Sequence, residues 1–221
     1  MKKLSIIIPC FNEVKTISKL LGVITNLKLN NTIIEVIVVD DKSTDGTIEL
    51  LKKNSNCKVL FNNINKGKGY CIRKGIKYCT GDYILIQDAD LEYDPNDYSK
   101  LLNIVDDTGV VYGVRKDKLG KRSVHYYLGA KIITGLTNFL YKTSLNDQAT
   151  CYKMFKSTLL KSIRLKEDRF GFCSEVTAKI AKRNISIREI PINYFPRTKK
   201  DGKKINWKDG IRAIYVLVKN Y

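Results

Sequence analysis

The sequence predicts an α/β domain in which a doubly wound, mostly parallel sheet carries helices on both faces. Near-continuous apolar runs at residues 4–8, 33–39 and 83–87 are typical of strands buried on both faces. Segments with helical spacing of apolar residues alternate with these runs, as in a βαβ architecture. Acidic or glycine-rich stretches follow several strands, and functional loops of such domains lie at the carboxyl ends of the strands.

The first half of the chain has the more regular pattern. Strands are expected at residues 4–8, 33–39, 58–61 and 83–87. Helices are expected over residues 14–24, from Thr47 onward, and over residues 70–79. Each strand is therefore followed by a helix or a functional loop, which favours the parallel arrangement.

The second half is less regular. Helices are expected over residues 97–105 and 172–183, strands over residues 110–114, 151–155 and 185–192, and a basic loop over residues 116–123. Residues 126–141 form a long apolar segment, which we interpret either as a core helix or as a helix lying in a membrane interface. The basic segment at residues 197–221 has apolar residues at roughly helical spacing, and it either lies in the same interface or caps the domain.

The composition limits the classes of function. A chain of 221 residues suits one domain, and its net charge of +18 indicates attraction to polyanions such as nucleic acid, an anionic membrane surface or phosphorylated substrates. The six cysteines form no C-x-x-C pair, which favours reduced thiols over disulfides or zinc. No segment reaches the roughly 20 apolar residues of a membrane span, so we expect a cytoplasmic protein, peripheral on the cytosolic membrane face.

Asp88 and Asp90 follow the fourth predicted strand. Two residues apart in an extended chain, their carboxylates point the same way and suit Mg²⁺ or Mn²⁺. By itself this pattern is weak and is more typical of a solvated acidic loop.

Two further stretches suit a nucleotide. Asp40 and Asp41 end the second strand, where a carboxylate can accept hydrogen bonds from a base or ribose, although aspartates also form turns there. The loop at residues 65–69 can approach a diphosphate with its backbone N–H groups and with Lys66 or Lys68, or it is simply a turn that requires glycine. Neither a P-loop nor a G-x-G-x-x-G motif is present.

Together these stretches resemble the family 2 glycosyltransferases. The matching stretches are SIIIPCFNE (residues 5–13), VVDDKSTDGT (38–47), NKGKG (65–69) and DAD (88–90). In the second half, DADLEYDP (88–95), GVR (113–115), Asp147 before CYKMF (151–155), and GKKI (202–205) are similar to the branch of dolichyl-phosphate mannose and glucose synthases.

The resemblance implies an A-type glycosyltransferase fold, a nucleotide-diphosphate-sugar donor and a divalent Mg²⁺ or Mn²⁺. Residues 1–196 would form the catalytic domain, with the donor bound mainly by residues 1–115 and the acceptor side at 116–196, and residues 197–221 would form a basic amphipathic tail. Donor-binding residues implied by position are Pro9, Asn12, Glu13, Asp40, Asp41, Lys66, Lys68, Asp88, Ala89 and Asp90. The implied metal residues are Asp88, Asp90 and Glu92.

The choice of acceptor depends on proton chemistry. A hydroxyl acceptor needs a general base within hydrogen-bond reach, and Asp147, which the resemblance places near the sugar carbon, is the best candidate. Its plainer interpretation is a turn aspartate. A lipid phosphate, with a second pKa of about 6, is already ionised and needs cations instead. Arg115, Arg122, Arg197 and Lys203 are the candidate phosphate and acceptor contacts, and Asp147 and Asp90 the candidate catalytic residues.

We therefore expect an inverting, metal-dependent transfer from a nucleotide-diphosphate sugar to a polyprenyl (dolichyl or undecaprenyl) phosphate at an anionic membrane surface. Transfer to a hydroxyl of a surface glycan is the alternative enzyme, and a membrane subunit is left open as a partner. From another class, the charge suits a nucleic-acid-binding protein. Nucleic acid is not expected as a partner, because the basic residues are not interleaved with base-stacking aromatics.

Overall fold

Seven strands form one sheet in the computed structural model, which describes residues 1–117, 123–198 and 202–221. The strands are β1 (Lys2–Cys10), β2 (Thr32–Asp40), β3 (Lys58–Phe61), β4 (Tyr83–Ile86), β5 (Val110–Asp117), β6 (Lys153–Lys156) and β7 (Arg188–Tyr194). Their order across the sheet is β3-β2-β1-β4-β6-β5-β7. All neighbouring pairs are parallel except the two that involve β6. The mostly parallel α/β sheet predicted from the sequence is confirmed.

Helices connect the strands. In the described ranges they are α1 (Ile17–Asn26), α2 (Thr47–Lys52), α3 (Lys68–Ile76), α4 (Tyr98–Leu102), α5 (Val105–Thr108), α6 (Val124–Tyr141), α7 (Ser157–Ser162), α8 (Phe172–Ala181) and α9 (Trp207–Asn220). The helix α1 buries Ile17, Leu20, Leu21 and Ile24, which recur at the spacing that places them on one helix face. This is the face that the sequence predicts.

The core lies around the central parallel strands β1, β2 and β4. Ile6, Ile7 and Ile8 on β1 are completely buried, as are the residues of β4 from Ile84 to Ile86. Consecutive burial requires apolar packing on both faces of the sheet. Removing this apolar surface from water is the main stabilising contribution of the sheet.

The second half departs from the expected elements in three places. The strand β5 extends to Asp117, past its expected end at residue 114, and residues 118–122 of the expected basic loop lie outside the described residues. The helix expected over residues 97–105 is instead a 3-10 turn (Pro95–Asp97) followed by α4 and α5, which the chain separates at Asn103 and Ile104. Asp94 caps the 3-10 turn by accepting a hydrogen bond from the backbone N–H of Asn96. The strand β6 runs antiparallel between β4 and β5, since apolar alternation marks a strand but not its direction.

The C-terminal segment packs on the domain rather than lying apart from it. The helix α9 contacts α8 and α6, and its residues Ala213, Val216 and Leu217 are buried there. Each of the six cysteines is a free thiol in the structure.

Candidate functional site

A cavity of about 400 Å³ opens at the carboxyl ends of β1, β2 and β4. One end is lined by Pro9, Asp41 and the glycine-rich loop, and the middle by the acidic loop after β4. The other end is lined by Arg115 and Gln148 among others. The position is the one expected for the ligand site of a doubly wound sheet.

Asp41 organises the glycine-rich loop at the first end. Its carboxylate accepts hydrogen bonds from the backbone N–H groups of Lys66 (2.9 Å) and Gly67 (2.6 Å). Gly67 has φ 96°, and a Cβ there would lie 2.7 Å from the carbonyl oxygen of Asp168. Glycine is therefore required at this position both by conformation and by space.

Asp40 is placed differently from its neighbour. It is completely buried, and its carboxylate accepts hydrogen bonds from the backbone N–H (3.0 Å) and hydroxyl (2.5 Å) of Ser43. Asp41, rather than Asp40, lines the cavity. The direct contact of Asp40 with a nucleoside stays a prediction, and the structure gives this residue a role in shaping the turn that follows β2.

The remaining donor-side residues hold the loops together. Asn12 accepts a hydrogen bond from the backbone N–H of Thr44 (2.8 Å), which joins the loops after β1 and β2. The ammonium of Lys66 lies 4.4 Å from the centre of the Tyr70 ring. Glu13 pairs with Arg197 (3.1 Å) and Lys204 (2.5 Å) at the cavity wall.

Asp88 and Asp90 lie in the middle of the cavity, each paired with a cation. Asp88 pairs with Lys68 (2.5 Å) and Asp90 with Arg197 (2.9 Å). Burial disfavours the charged form of Asp88, but the charge and hydrogen bond of Lys68 outweigh it and lower its pKa. Burial, with the nearby charges of Asp88 and Glu92, raises the pKa of Asp90 to about 7. The negative charges of Asp88 and Asp90 therefore repel each other, and a divalent cation bound by both carboxylates would offset this repulsion.

Glu92 points to the segment after β7. It accepts hydrogen bonds from the Tyr194 hydroxyl (3.0 Å), the Arg197 backbone N–H (2.6 Å) and Lys203 (2.8 Å). Within residues 1–117, 123–198 and 202–221, no group of three or more acidic, histidine or cysteine side chains is arranged so that it could hold a metal ion by itself. Two carboxylates completed by substrate phosphates do fit Mg²⁺ or Mn²⁺, so Asp88 and Asp90 suit the metal. The metal role of Glu92 stays a prediction.

Arg115 and Asp147 form a buried pair at the far end. The guanidinium donates two hydrogen bonds to the carboxylate, from Nε to Oδ2 and from Nη2 to Oδ1, each 2.7 Å long. The backbone N–H of Asp147 donates to Glu189 (3.0 Å), which fixes the loop. Arg115 lines the cavity. Arg122, the other predicted acceptor contact on this side, lies outside the described residues.

Several residues near the site have no signal in the sequence that marks them. Lys153 is completely buried with its ammonium 3.5 Å from the centre of the Tyr112 ring, and burial lowers its pKa to about 8. Gln87, just before the acidic loop, is also completely buried. Glu175 on α8 accepts hydrogen bonds from the backbone N–H groups of Lys166 and Glu167. None of these contacts follows from a motif, because each depends on residues distant in the chain.

Comparison with known proteins agrees with this geometry. The family model of glycosyl transferase family 2 matches residues 5–164. The chain belongs to glycosyl transferase family 2. It is therefore a glycosyltransferase, the enzyme class that the sequence predicts.

Its curated relatives include transferases named for polyprenyl phosphates. A dolichyl-phosphate beta-glucosyltransferase of Dictyostelium discoideum is 28% identical over 92% of this chain and 68% of its own length. An undecaprenyl-phosphate 4-deoxy-4-formamido-L-arabinose transferase of Edwardsiella ictaluri is 26% identical over 90% of this chain and 62% of its own length. A low-salt glycan biosynthesis hexosyltransferase of Haloferax volcanii is 26% identical over 98% of this chain. The chain spans 53% of that last relative's length.

Solved structures show the same fold. Glucosyl-3-phosphoglycerate synthase from Mycobacterium tuberculosis, solved with Mn²⁺, uridine diphosphate and phosphoglyceric acid, superposes with a TM-score of 0.78 at 17% identity. The superposition covers 99% of this chain and 78% of that one. The likeness confirms the A-type glycosyltransferase fold. Within the described ranges, none of the helices combines the length and apolar character that crossing a membrane requires.

Proposed function

We propose that the chain transfers a sugar, with inversion, from a nucleotide-diphosphate sugar to a polyprenyl phosphate. One observation carries the choice of acceptor. Asp147, the candidate general base, has both oxygens engaged by Arg115 in a buried pair. A hydroxyl acceptor needs a base that is able to take its proton. A phosphate acceptor is already ionised and needs cations to bind it, and the basic residues Arg115, Arg197 and Lys203 line the cavity.

The donor would bind along the other part of the cavity. Asp41 and the backbone of the glycine-rich loop lie where a nucleoside and its phosphates are expected, and Lys68 extends towards Asp88. Asp88 and Asp90 would hold Mg²⁺ or Mn²⁺ together with the diphosphate. The metal, when bound, neutralises negative charge that develops on the leaving diphosphate. Lys68 and Arg197 contribute positive charge to the same region.

Three of the basic residues after β7 would change partners when the donor binds. Arg197, Lys203 and Lys204 pair with Asp90, Glu92 and Glu13, respectively. A diphosphate carries more concentrated negative charge than these carboxylates and offers acceptor oxygens to the same cations. These contacts support a movement of the three side chains from the carboxylates to the bound diphosphate.

Two helices support a location on the cytosolic face of a membrane. Apolar side chains are exposed on α6 and on α9, which pack against each other: Val124, Tyr127, Leu128, Ile132 and Phe139 on α6, and Trp207, Ile211, Tyr215 and Val218 on α9. Exposed aromatic and aliphatic side chains beside lysines favour the head-group region of an anionic membrane. This would bring the cavity to its lipid acceptor, with or without a membrane subunit.

A screen of donors and an extraction test the proposal. Labelled nucleotide sugars would be incubated with the protein, polyprenyl phosphate and Mg²⁺ or Mn²⁺, and the lipid extracted into organic solvent. The expected result is label in the organic phase for one donor, lost on chelation of the metal. Label that enters only water-soluble glycan would contradict the proposed acceptor and favour transfer to a glycan hydroxyl. The Haloferax relative, which is named for glycan biosynthesis, is the reason to include this alternative.

A further inference from the structure

A buried hydrogen-bond network lies behind the acidic loop. The side-chain oxygen of Gln87 accepts hydrogen bonds from two phenols, those of Tyr98 (2.7 Å) and Tyr152 (2.5 Å). The side-chain nitrogen of Gln87 donates to the backbone carbonyl of Asp88 (2.8 Å). All three network side chains are completely buried. Polar groups in such a place are costly unless every one is paired, so the network has a definite geometry.

The loop that this network touches needs external support. Leu91 has φ 61°, in the left-handed region that residues with a Cβ rarely adopt. Such conformations persist only where the surrounding structure holds them. The start of the loop is held by a hydrogen bond from the Gln87 backbone N–H to Ile7 (3.0 Å), and its end by one from the Phe195 backbone N–H to Glu92 (2.8 Å).

Tyr152 contacts both ends of the loop at once. Its hydroxyl binds Gln87 at the start, and its ring stacks on Tyr93 at the end, with ring centres 4.6 Å apart and planes 23° apart. The Tyr93 hydroxyl in turn accepts a hydrogen bond from the backbone N–H of Cys151 (2.9 Å). Tyr152 is absent from the cavity wall, which Tyr93 and Cys151 line. Any effect of Tyr152 on the site therefore passes through these neighbours.

We propose that Tyr152 is a positioning residue that joins the two ends of the acidic loop and thereby sets the geometry in which Asp88 and Asp90 bind a divalent cation. The inference rests on the proposed metal site. It extends that site, because the affinity of Asp88 and Asp90 for the cation would depend on a side chain outside the cavity. Groups that orient metal ligands commonly change metal affinity about 10- to 100-fold when they are removed.

The test compares two tyrosine-to-phenylalanine substitutions. Tyr152→Phe removes the hydroxyl that binds Gln87. Tyr112→Phe is the matched control, because Tyr112 is also completely buried and its hydroxyl bonds to Thr177 (2.9 Å), away from the acidic loop. Mn²⁺ would be titrated into each protein, alone and with uridine or guanosine diphosphate, and free Mn²⁺ followed by electron paramagnetic resonance. Near-ultraviolet circular dichroism and Tm would check the fold.

We expect Tyr152→Phe to weaken Mn²⁺ binding about tenfold, while the control, with a similar fall in Tm, binds Mn²⁺ as the unsubstituted protein does. Amide hydrogen exchange should also rise at residues 88–93 in Tyr152→Phe and not in the control. Equal Mn²⁺ affinity and unchanged exchange in Tyr152→Phe would overturn the inference and leave the proposed function standing. Failure of the unsubstituted protein to bind Mn²⁺ would instead contradict the metal site, and the inference with it.

A second variant keeps the inference falsifiable if Tyr152→Phe does not fold. Gln87→Met removes the same link from the side of the loop, including the hydrogen bond to the Asp88 carbonyl. It should weaken Mn²⁺ binding at least as much as Tyr152→Phe. Unchanged affinity in a folded Gln87→Met protein would also overturn the inference.

Discussion

Replacing Asp147 with asparagine separates a structural role of this carboxylate from a catalytic one. Asp147 and Arg115 expose only 8% and 10% of their side chains, so the pair is shielded from solvent. Removing one partner of a buried ion pair costs about 3–5 kcal/mol, because the other charge stays buried. The asparagine oxygen keeps one of the two hydrogen bonds from the guanidinium, so we expect a loss of about 2–4 kcal/mol. For a chain of this size that lowers Tm by about 5–15 °C.

The effect of Asp147→Asn on catalysis distinguishes the two acceptors. A phosphate acceptor has no proton to lose, so kcat/KM should fall only about tenfold, through changed orientation of Arg115. A general base would be worth about 10²–10⁴-fold. The assay is the initial rate of lipid glycosylation at saturating donor with varied polyprenyl phosphate, at a temperature well below the variant's Tm.

Glu175→Gln is the matched control for Asp147→Asn. It also replaces a buried carboxylate by its amide, at a side chain that binds the backbone N–H groups of Lys166 and Glu167 and does not line the cavity. It should lower Tm and leave kcat/KM unchanged. The reasoning is refuted if Asp147→Asn lowers kcat/KM about a thousandfold or more while Tm stays constant, since that is the behaviour of a base.

Three further predictions follow from single residues. Because burial and the charges of Asp88 and Glu92 raise the pKa of Asp90 to about 7, stability of the metal-free protein should fall from about pH 4 to pH 7; Asp90→Asn should remove this fall in pH-dependent denaturation and abolish metal-dependent transfer. Gly67→Ala should cost about 1–3 kcal/mol in urea denaturation, since its φ is 96°, whereas Gly22→Ala, with open space around it, should not destabilise. Burial lowers the pKa of Lys153 to about 8, so stability should rise from pH 8 to 10.5, and Lys153→Met should lack that rise.

Each of these three has an outcome that contradicts it. If the free energy of unfolding of the unsubstituted protein does not change between pH 4 and pH 7, the pKa of the Asp90 carboxyl is not raised in the metal-free state. An unchanged urea midpoint in Gly67→Ala would mean that the glycine-rich loop moves without cost. A Lys153→Met protein with the same alkaline rise would assign that rise to another group.

The first half of the fold was predictable because its signals are local. Buried parallel strands such as residues 33–39 are continuous apolar runs, and their ends carry the acidic and glycine-rich stretches that reach the ligand. Asp88 and Asp90 stand two residues apart at the end of a predicted strand, and the neighbouring motifs together with the family resemblance distinguish them from a solvated acidic loop. Asp40 was harder to assign, because two adjacent aspartates at a strand end point to opposite sides, and only the fold decides that Asp41 is the one that lines the cavity.

The second half depends on contacts between distant residues, which a sequence pattern does not contain. The antiparallel direction of β6 and the break between α4 and α5 come from tertiary packing. The pairing of Asp147 with Arg115 joins positions 32 residues apart. The network of Gln87, Tyr98 and Tyr152 joins three elements, and tyrosines in apolar segments look like ordinary core residues until their hydroxyl partners are known.

The acceptor is tested most directly by a comparison of polyprenyl phosphate with the polyprenol of the same chain length. Both would be supplied in the same detergent, with the same labelled donor and metal. The proposed site has cations that can bind a phosphate, and its candidate base, Asp147, is already bound to Arg115. We therefore expect transfer to the phosphate and none above background to the alcohol. Transfer to polyprenol at a comparable rate would contradict the account.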